Sequence, residues 1–190
     1  MTQYARPDND KVDGNWENQA GSATNMYASI NLASEDDSKY IKVDDNFGST
    51  EVCEFYLDDI EDPGGAASSW ASLPVLSMRT QELNGFGAVE LTVVLFQGSS
   101  TIKTFDSFNP PDPAGNTDGS SPFILTATEA DSLTATDGNF EDLFVRITSE
   151  DGFGTGATTR VYRLWIEFPD AAAPAAAAQN GSAFMLFLDT

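Results

Sequence analysis

Ala88-Val89-Glu90-Leu91-Thr92-Val93-Val94-Leu95-Phe96-Gln97, followed by Gly98-Ser99-Ser100 and Thr101-Ile102-Lys103-Thr104-Phe105, decides the fold class. Apolar residues recur every second position, so Val89, Leu91, Val93 and Leu95 line one face of a strand. Val94 and Phe96 enrich the opposite face, which predicts a central position in a sheet. The Gly/Ser turn then predicts a hairpin into 101–105.

The same period continues on both sides. Upstream, Cys53, Phe55 and Leu57 alternate with Val52, Glu54, Tyr56 and Asp58 until Asp62-Pro63-Gly64-Gly65 ends the run with turn residues. Val75 to Thr80 predicts a strand with Leu76 and Met78 inward, and Tyr40 to Val43 a shorter one. Downstream, Leu143, Val145 and Ile147 share a face. In Arg160 to Phe168, Tyr162, Leu164, Ile166 and Phe168 oppose Val161, Arg163, Trp165 and Glu167. Helical signals are short. Met26, Tyr27 and Ile30 cluster within 24–32, and Thr126-Ala127-Thr128-Glu129 matches a capping box. No βαβ alternation is present. The expectation is an all-β protein, an antiparallel β-sandwich of jelly-roll type with one or two short helices.

Organisation follows from composition. Residues 1–24 are polar and read as an N-terminal arm, with 25–170 as the β-sandwich domain. Residues 171–182 form an Ala/Pro-rich linker. Phe184, Met185, Leu186, Phe187 and Leu188 make an apolar block within 183–190. Left exposed it would aggregate, so it is expected to be an extra strand or a segment docking on a partner.

Thirty acidic residues oppose nine basic ones, a formal charge of -21 with pI near 4.1. Clustered Lys and Arg drive phosphate binding, so nucleic acid and anionic membranes are not expected partners. No apolar run reaches the length of a membrane-spanning helix, and the N-terminus lacks a signal-peptide pattern, so a soluble chain made in the cytoplasm is expected.

Histidine is absent, which removes the usual general base. Cys53, the lone cysteine, sits between carboxylates on a strand and reads as a buried structural thiol. Acidic doublets such as Asp36/Asp37 and Asp58/Asp59 arise freely among thirty carboxylates and single out no pair. No enzyme activity and no cofactor are expected. Asp112, Asn116 and Asp118 lie among glycines in a Pro/Gly/Asp loop and could offer oxygen ligands to Ca²⁺, but the EF-hand spacing is missing and a solvated loop is the simpler reading. Trp16, Trp70, Tyr56 and Trp165 are the aromatics a glycan could stack on. Trp70, in a small-residue loop, is the one expected to be exposed, whereas Trp16 and Trp165 read better as packing residues.

Two groups of segments carry a family likeness. The first is Arg6-Pro7-Asp8-Asn9-Asp10 with Gly14-Asn15-Trp16, Met26-Tyr27-Ala28-Ser29-Ile30, Asp36-Asp37 and Tyr40-Ile41. The second is Leu125 to Ala130, Leu143 to Arg146, Arg160-Val161-Tyr162 and Trp165 to Pro169. Over most of 5–169, discontinuously, these resemble β-sandwich structural proteins of tailed bacteriophages and prophages. The resemblance implies a virion structural protein, most concretely a capsid decoration or cement protein. Its partners would be the major capsid protein or other virion subunits, with copies related by the shell's symmetry, trimers included. It brings no catalytic residues. A tail or fibre component, or a lectin-like carbohydrate-binding module, is the alternative. Within the opening segment Arg6 is expected to pair with Asp8 and Asp10, and Trp16 with Tyr27 to close one end of the sandwich.

Overall fold

The structure is a computed structural model that describes residues 2–44, 50–83, 89–112, 114–116, 123–151 and 156–170. Its strands are β1 (Gln3–Ala5), β2 (Pro7–Val12), β3 (Glu17–Asn18), β4 (Ile41–Asp44), β5 (Thr50–Leu57) and β6 (Ile60–Glu61). They continue as β7 (Val75–Leu83), β8 (Val89–Gln97), β9 (Ser100–Thr104), β10 (Gly115–Asn116), β11 (Asn139–Phe140), β12 (Leu143–Asp151) and β13 (Thr158–Phe168). Two four-residue helices, α1 (Tyr27–Ile30) and α2 (Ala127–Ala130), complete it with a 3-10 turn at Ala67–Ser69.

One sheet runs β10-β7-β13-β4-β3, with β1 also paired to β13; a second runs β2-β5-β12-β8-β9, and β11 and β6 form a separate two-stranded pair. Every pairing is antiparallel. This is the antiparallel sandwich with short helices that the alternation predicts. The inward rows behave as expected: Cys53, Phe55 and Leu57, then Leu91, Val93 and Leu95, then Leu143, Val145 and Ile147 are all buried in one core with Leu76, Met78, Leu164 and Ile166. Burial pushes the Cys53 thiol well above its ordinary range, so it stays protonated and inert. Between the layers the Ser149 hydroxyl donates to Thr159 Oγ1 at 3.2 Å, so these buried oxygens satisfy each other across the sandwich.

Residues 3–12, read from the sequence as part of an arm, belong to both sheets. β1 adds to the end of β13, and β2 adds to β5. Trp16 is buried to 1% exposure behind them. Arg6 does not pair with Asp8 or Asp10: its guanidinium lies over the Tyr4 ring, while Asp10 accepts the backbone N–H groups of Met26 at 2.9 Å and Tyr27 at 2.8 Å. The reason is local supply of donors. The start of α1 offers two orphan N–H groups, and the Asp10 carboxylate takes both.

β13 departs from strict alternation. A bulge between Val161 and Arg163 inserts Tyr162, so Val161 joins the core and Tyr162 turns outward to donate its hydroxyl to Gln81 Oε1. With Val161 held inward, unbroken alternation would carry Arg163 and Trp165 inward as well. The extra residue instead places both on the outer face, as bulges re-aim side chains elsewhere.

The capping box forms. Thr126 Oγ1 accepts the Glu129 N–H at 3.2 Å and Glu129 Oε2 accepts the Thr126 N–H at 2.7 Å; Lys103 Nζ adds a contact to Oε2 at 3.0 Å. Thr126→Ala is expected to lower unfolding stability by about 1 kcal/mol. Urea denaturation measures it, and an unchanged midpoint would mean that α2 is held by packing alone. The linker 171–182 and the apolar block Phe184 to Leu188 lie outside the described residues.

Candidate functional site

The bulge and the β1 strand together build a hollow on the outer face of the six-stranded sheet. It is lined by Tyr4, Arg6, Leu32, Ala33, Arg163 and Trp165 and holds about 240 Å³. Tyr4 stands opposite Glu167 in register, which brings it diagonally beside Trp165. The two rings meet edge to face, with centroids 6.4 Å apart and planes at 77°. Tyr4 is 39% exposed. Trp165 is half-buried, open on the hollow's side.

Each ring carries a guanidinium. Arg163 Cζ lies 4.0 Å from the Trp165 centroid and Arg6 Cζ 5.0 Å from that of Tyr4. The planar guanidinium groups thus stiffen the rings against rotation. Three N–H donors in these walls, Arg6 Nε, Arg163 Nε and Trp165 Nε1, are buried without an acceptor among the described residues. A buried donor without an acceptor is costly. Trp16 Nε1, Thr80 Oγ1 and Arg160 Nε, away from the hollow, are the other such atoms among the described residues.

The segment after α1 closes one side. Leu32 and Ala33 give an apolar border, and Glu35 and Asp37 reach over to Arg163 and Arg79. The acidic stretch 34–38 is thereby tied to the sheet. Burial, with help from nearby Arg79 and Arg6, lowers the Arg163 pKa against the pull of Glu35.

The residues singled out from sequence scatter. Trp70 is half-buried, not open: its Nε1–H donates to Gly64 O at 3.0 Å and its ring packs 6.3 Å from Phe140. The turn Asp62 to Gly65 supplies that acceptor, which a reading of the loop's small residues could not foresee. Tyr56 is 38% exposed on the outer face of the other sheet. It starts a row with its register partner Phe144 and with Phe96, but Lys11 Nζ sits 3.5 Å above Phe144 and covers it. Of the calcium candidates, Asp112 accepts from Gln81 Nε2 at 3.0 Å and Asn116 donates to Glu35 at 3.0 Å. Asp118 lies outside the described residues, and among those described no group of three or more His, Cys, Asp or Glu side chains could hold a metal ion. Tyr4, Arg6 and Arg163 were not legible as site residues. Their only signal was that a chain so poor in cations spends two of nine on segments rich in aromatics.

No family model matches the chain, and no curated protein matches it. Solved structures of similar outline include the xylan-binding module CBM15, at 11% identity and TM-score 0.44, covering 90% of this chain and 99% of that one. Another is TmCBM61 in complex with β-1,4-galactotriose, at 9% identity and TM-score 0.41, covering 87% and 91%. A third is CBM29_1, a family 29 carbohydrate-binding module from Piromyces equi, at 10% identity and TM-score 0.38, covering 90% and 93%. These likenesses are of broad architecture. None of the comparisons links the chain to virion proteins.

Proposed function

We propose that this protein is a non-catalytic glycan-binding β-sandwich whose ligand seats in the hollow between Tyr4 and Trp165. The observation that carries the reading is the pairing of two edge-to-face rings with buried N–H donors that lack acceptors among the described residues. A pyranose ring has the complementary chemistry: an apolar face of C–H groups for the rings and hydroxyls for the donors. At about 240 Å³ the hollow is smaller than typical drug-sized pockets, so it takes one part of an oligosaccharide and leaves the remainder along the sheet. The virion reading implied by resemblance would act through Phe184 to Leu188, which lie outside the described residues, and no structural feature of the sandwich favours it over glycan binding.

A glycan array followed by calorimetric titration of the best ligand tests the proposal. Trp165→Ala is expected to weaken binding by at least about tenfold, as for central aromatic contacts generally. Tyr4→Ala, at a more exposed position, provides the same readout with less risk to folding. An array with no positive sugar, or affinity unmoved in both variants, would sink the reading.

A further inference from the structure

We infer that the hollow selects a sugar unit bearing a carboxylate, with Arg6 and Arg163 as its charge-selecting pair; this rests on the glycan-binding reading above. Thirty carboxylates face nine cations, yet among the described residues only Arg79 and Arg146 of the five arginines hold a carboxylate closely. Arg6, Arg163 and Arg160 do not, and of these Arg6 and Arg163 line the hollow. Arg79 is well paired, since Asp37 accepts from its Nε at 2.7 Å and from its Nη2 at 2.8 Å. Arg163 has Glu35, at 3.4 Å, and that carboxylate is half exposed and shared with the Asn116 amide at 3.0 Å. Arg6 has no carboxylate within ion-pair distance of its guanidinium among the described residues; Asp58 meets only its backbone N–H, at 3.4 Å.

The register adds a second, independent sign. Arg163 stands directly opposite Arg79 across β13 and β7. Like charges in that position repel, and the sheet keeps them there with one weak counter-ion on Arg163. A ligand carboxylate between Arg163 and Arg6 would relieve the repulsion and supply the planar acceptor that guanidinium groups recognise. A neutral sugar would use the rings and leave both cations as they are.

The rest of the surface limits the ligand further. Beyond roughly 8 Å, at physiological salt, screening hides the other carboxylates from an isolated charge. An extended polyanion would lie across them and be repelled. The chemistry therefore fits a glycan whose acidic units are uronic-acid type and spaced by neutral ones.

Calorimetric titration of the full chain with uronate-containing oligosaccharides, each beside its carboxyl-reduced neutral counterpart, reads the selectivity. At least one acidic member is expected to bind about tenfold or more tightly than its counterpart, the size of one charge-assisted contact. The margin should vanish in Arg6→Gln and shrink in Arg163→Gln, and Arg6→Lys should restore part of it. Thermal melts check folding, and Arg6→Gln alone is decisive if the other variant does not fold. Equal affinity for the acidic and neutral forms overturns this inference and leaves glycan binding intact. Failure of every sugar, acidic or neutral, overturns both. An acid preference retained in the variants assigns the charge to another place and overturns the pair. Sodium acetate competing as well as the acidic sugar marks a plain anion site and overturns the saccharide class.

Discussion

Gly14→Ala is expected to cost about 3 kcal/mol or more of unfolding stability, the largest effect of a methyl group added at any of the described glycines. Two terms act together. Gly14 has φ of +55°, and a Cβ built there would fall inside the van der Waals envelope of the Val52 carbonyl oxygen. That oxygen belongs to β5, where Val52 is paired with Thr148 of the central strand β12, so it has little freedom to retreat. The turn cannot open either, because Asp13 O accepts the Trp16 N–H at 3.0 Å and Trp16 is buried just beyond. Gly98 supplies the control. It has the same φ of +55°, in the turn between β8 and β9, with no heavy atom within 4 Å of its would-be Cβ. Gly98→Ala should therefore show the conformational cost alone, about 1 kcal/mol. The comparison is read from urea midpoints at constant slope. Equal losses would mean that the close approach to Val52 is relieved cheaply.

Glu54→Ala is the second large effect, at about 2–3 kcal/mol. Glu54 is only 4% exposed although it lies on the outer face of its sheet. Lys11 pairs with its Oε2, and Arg146 donates from Nε to Oε1 at 2.7 Å. Those cations in turn lie over Phe144 and Phe96, so removing the carboxylate strands two charges beside aromatic rings. Both cations keep some access to water, which holds the cost below that of a fully buried pair.

The same group gives a pH prediction. Burial pushes the Glu54 carboxyl upward, but Lys11 and Arg146 outweigh it and leave the pKa below the ordinary glutamate value of 4.5. A carboxylate held low in the folded state stabilises at pH above its unfolded pKa. That contribution is lost as pH falls through the folded value. Asp37, held low by its bond to Arg79, and Glu129, where Thr126 and Lys103 outweigh burial, slope the same way. Asp8 slopes oppositely, because burial and then Asp58 raise its pKa. The difference between wild type and Glu54→Gln isolates one limb: stability should fall less steeply below pH about 4.5 in the variant. Parallel curves would show that the ion pairs at Glu54 carry no net stability.

Much of the fold was legible because it is written in local periods. Val89 to Leu95, Cys53 to Leu57 and Leu143 to Ile147 each carry their inward face in the spacing of apolar residues, and the core assembles from those faces. The capping box at Thr126 and Glu129 was equally local. The site was not. Trp165 counted as a packing residue, yet Leu164, Ile166 and Phe168 hold the inward row and Trp165 stands on the outer face beside Tyr4. Trp70 counted as exposed because its loop is made of small residues, yet the loop folds back to offer the Gly64 carbonyl. Arg6 was matched to the nearest carboxylates in sequence, whereas strand pairing set it beside a ring from β1 and a cation from β13.

By itself, the sequence determined an acidic, antiparallel β protein with short helices, one of them capped, and no imidazole chemistry. Composition and nearest-neighbour periodicity are sufficient for that. Tertiary structure alone decided that residues 3–12 close both sheets, and that Tyr4, Arg6, Arg163 and Trp165 share a hollow. Those outcomes depend on pairing registers between segments distant in sequence, Pro7 with Leu57 and Gln3 with Phe168. No local pattern encodes a register shifted by one inserted residue.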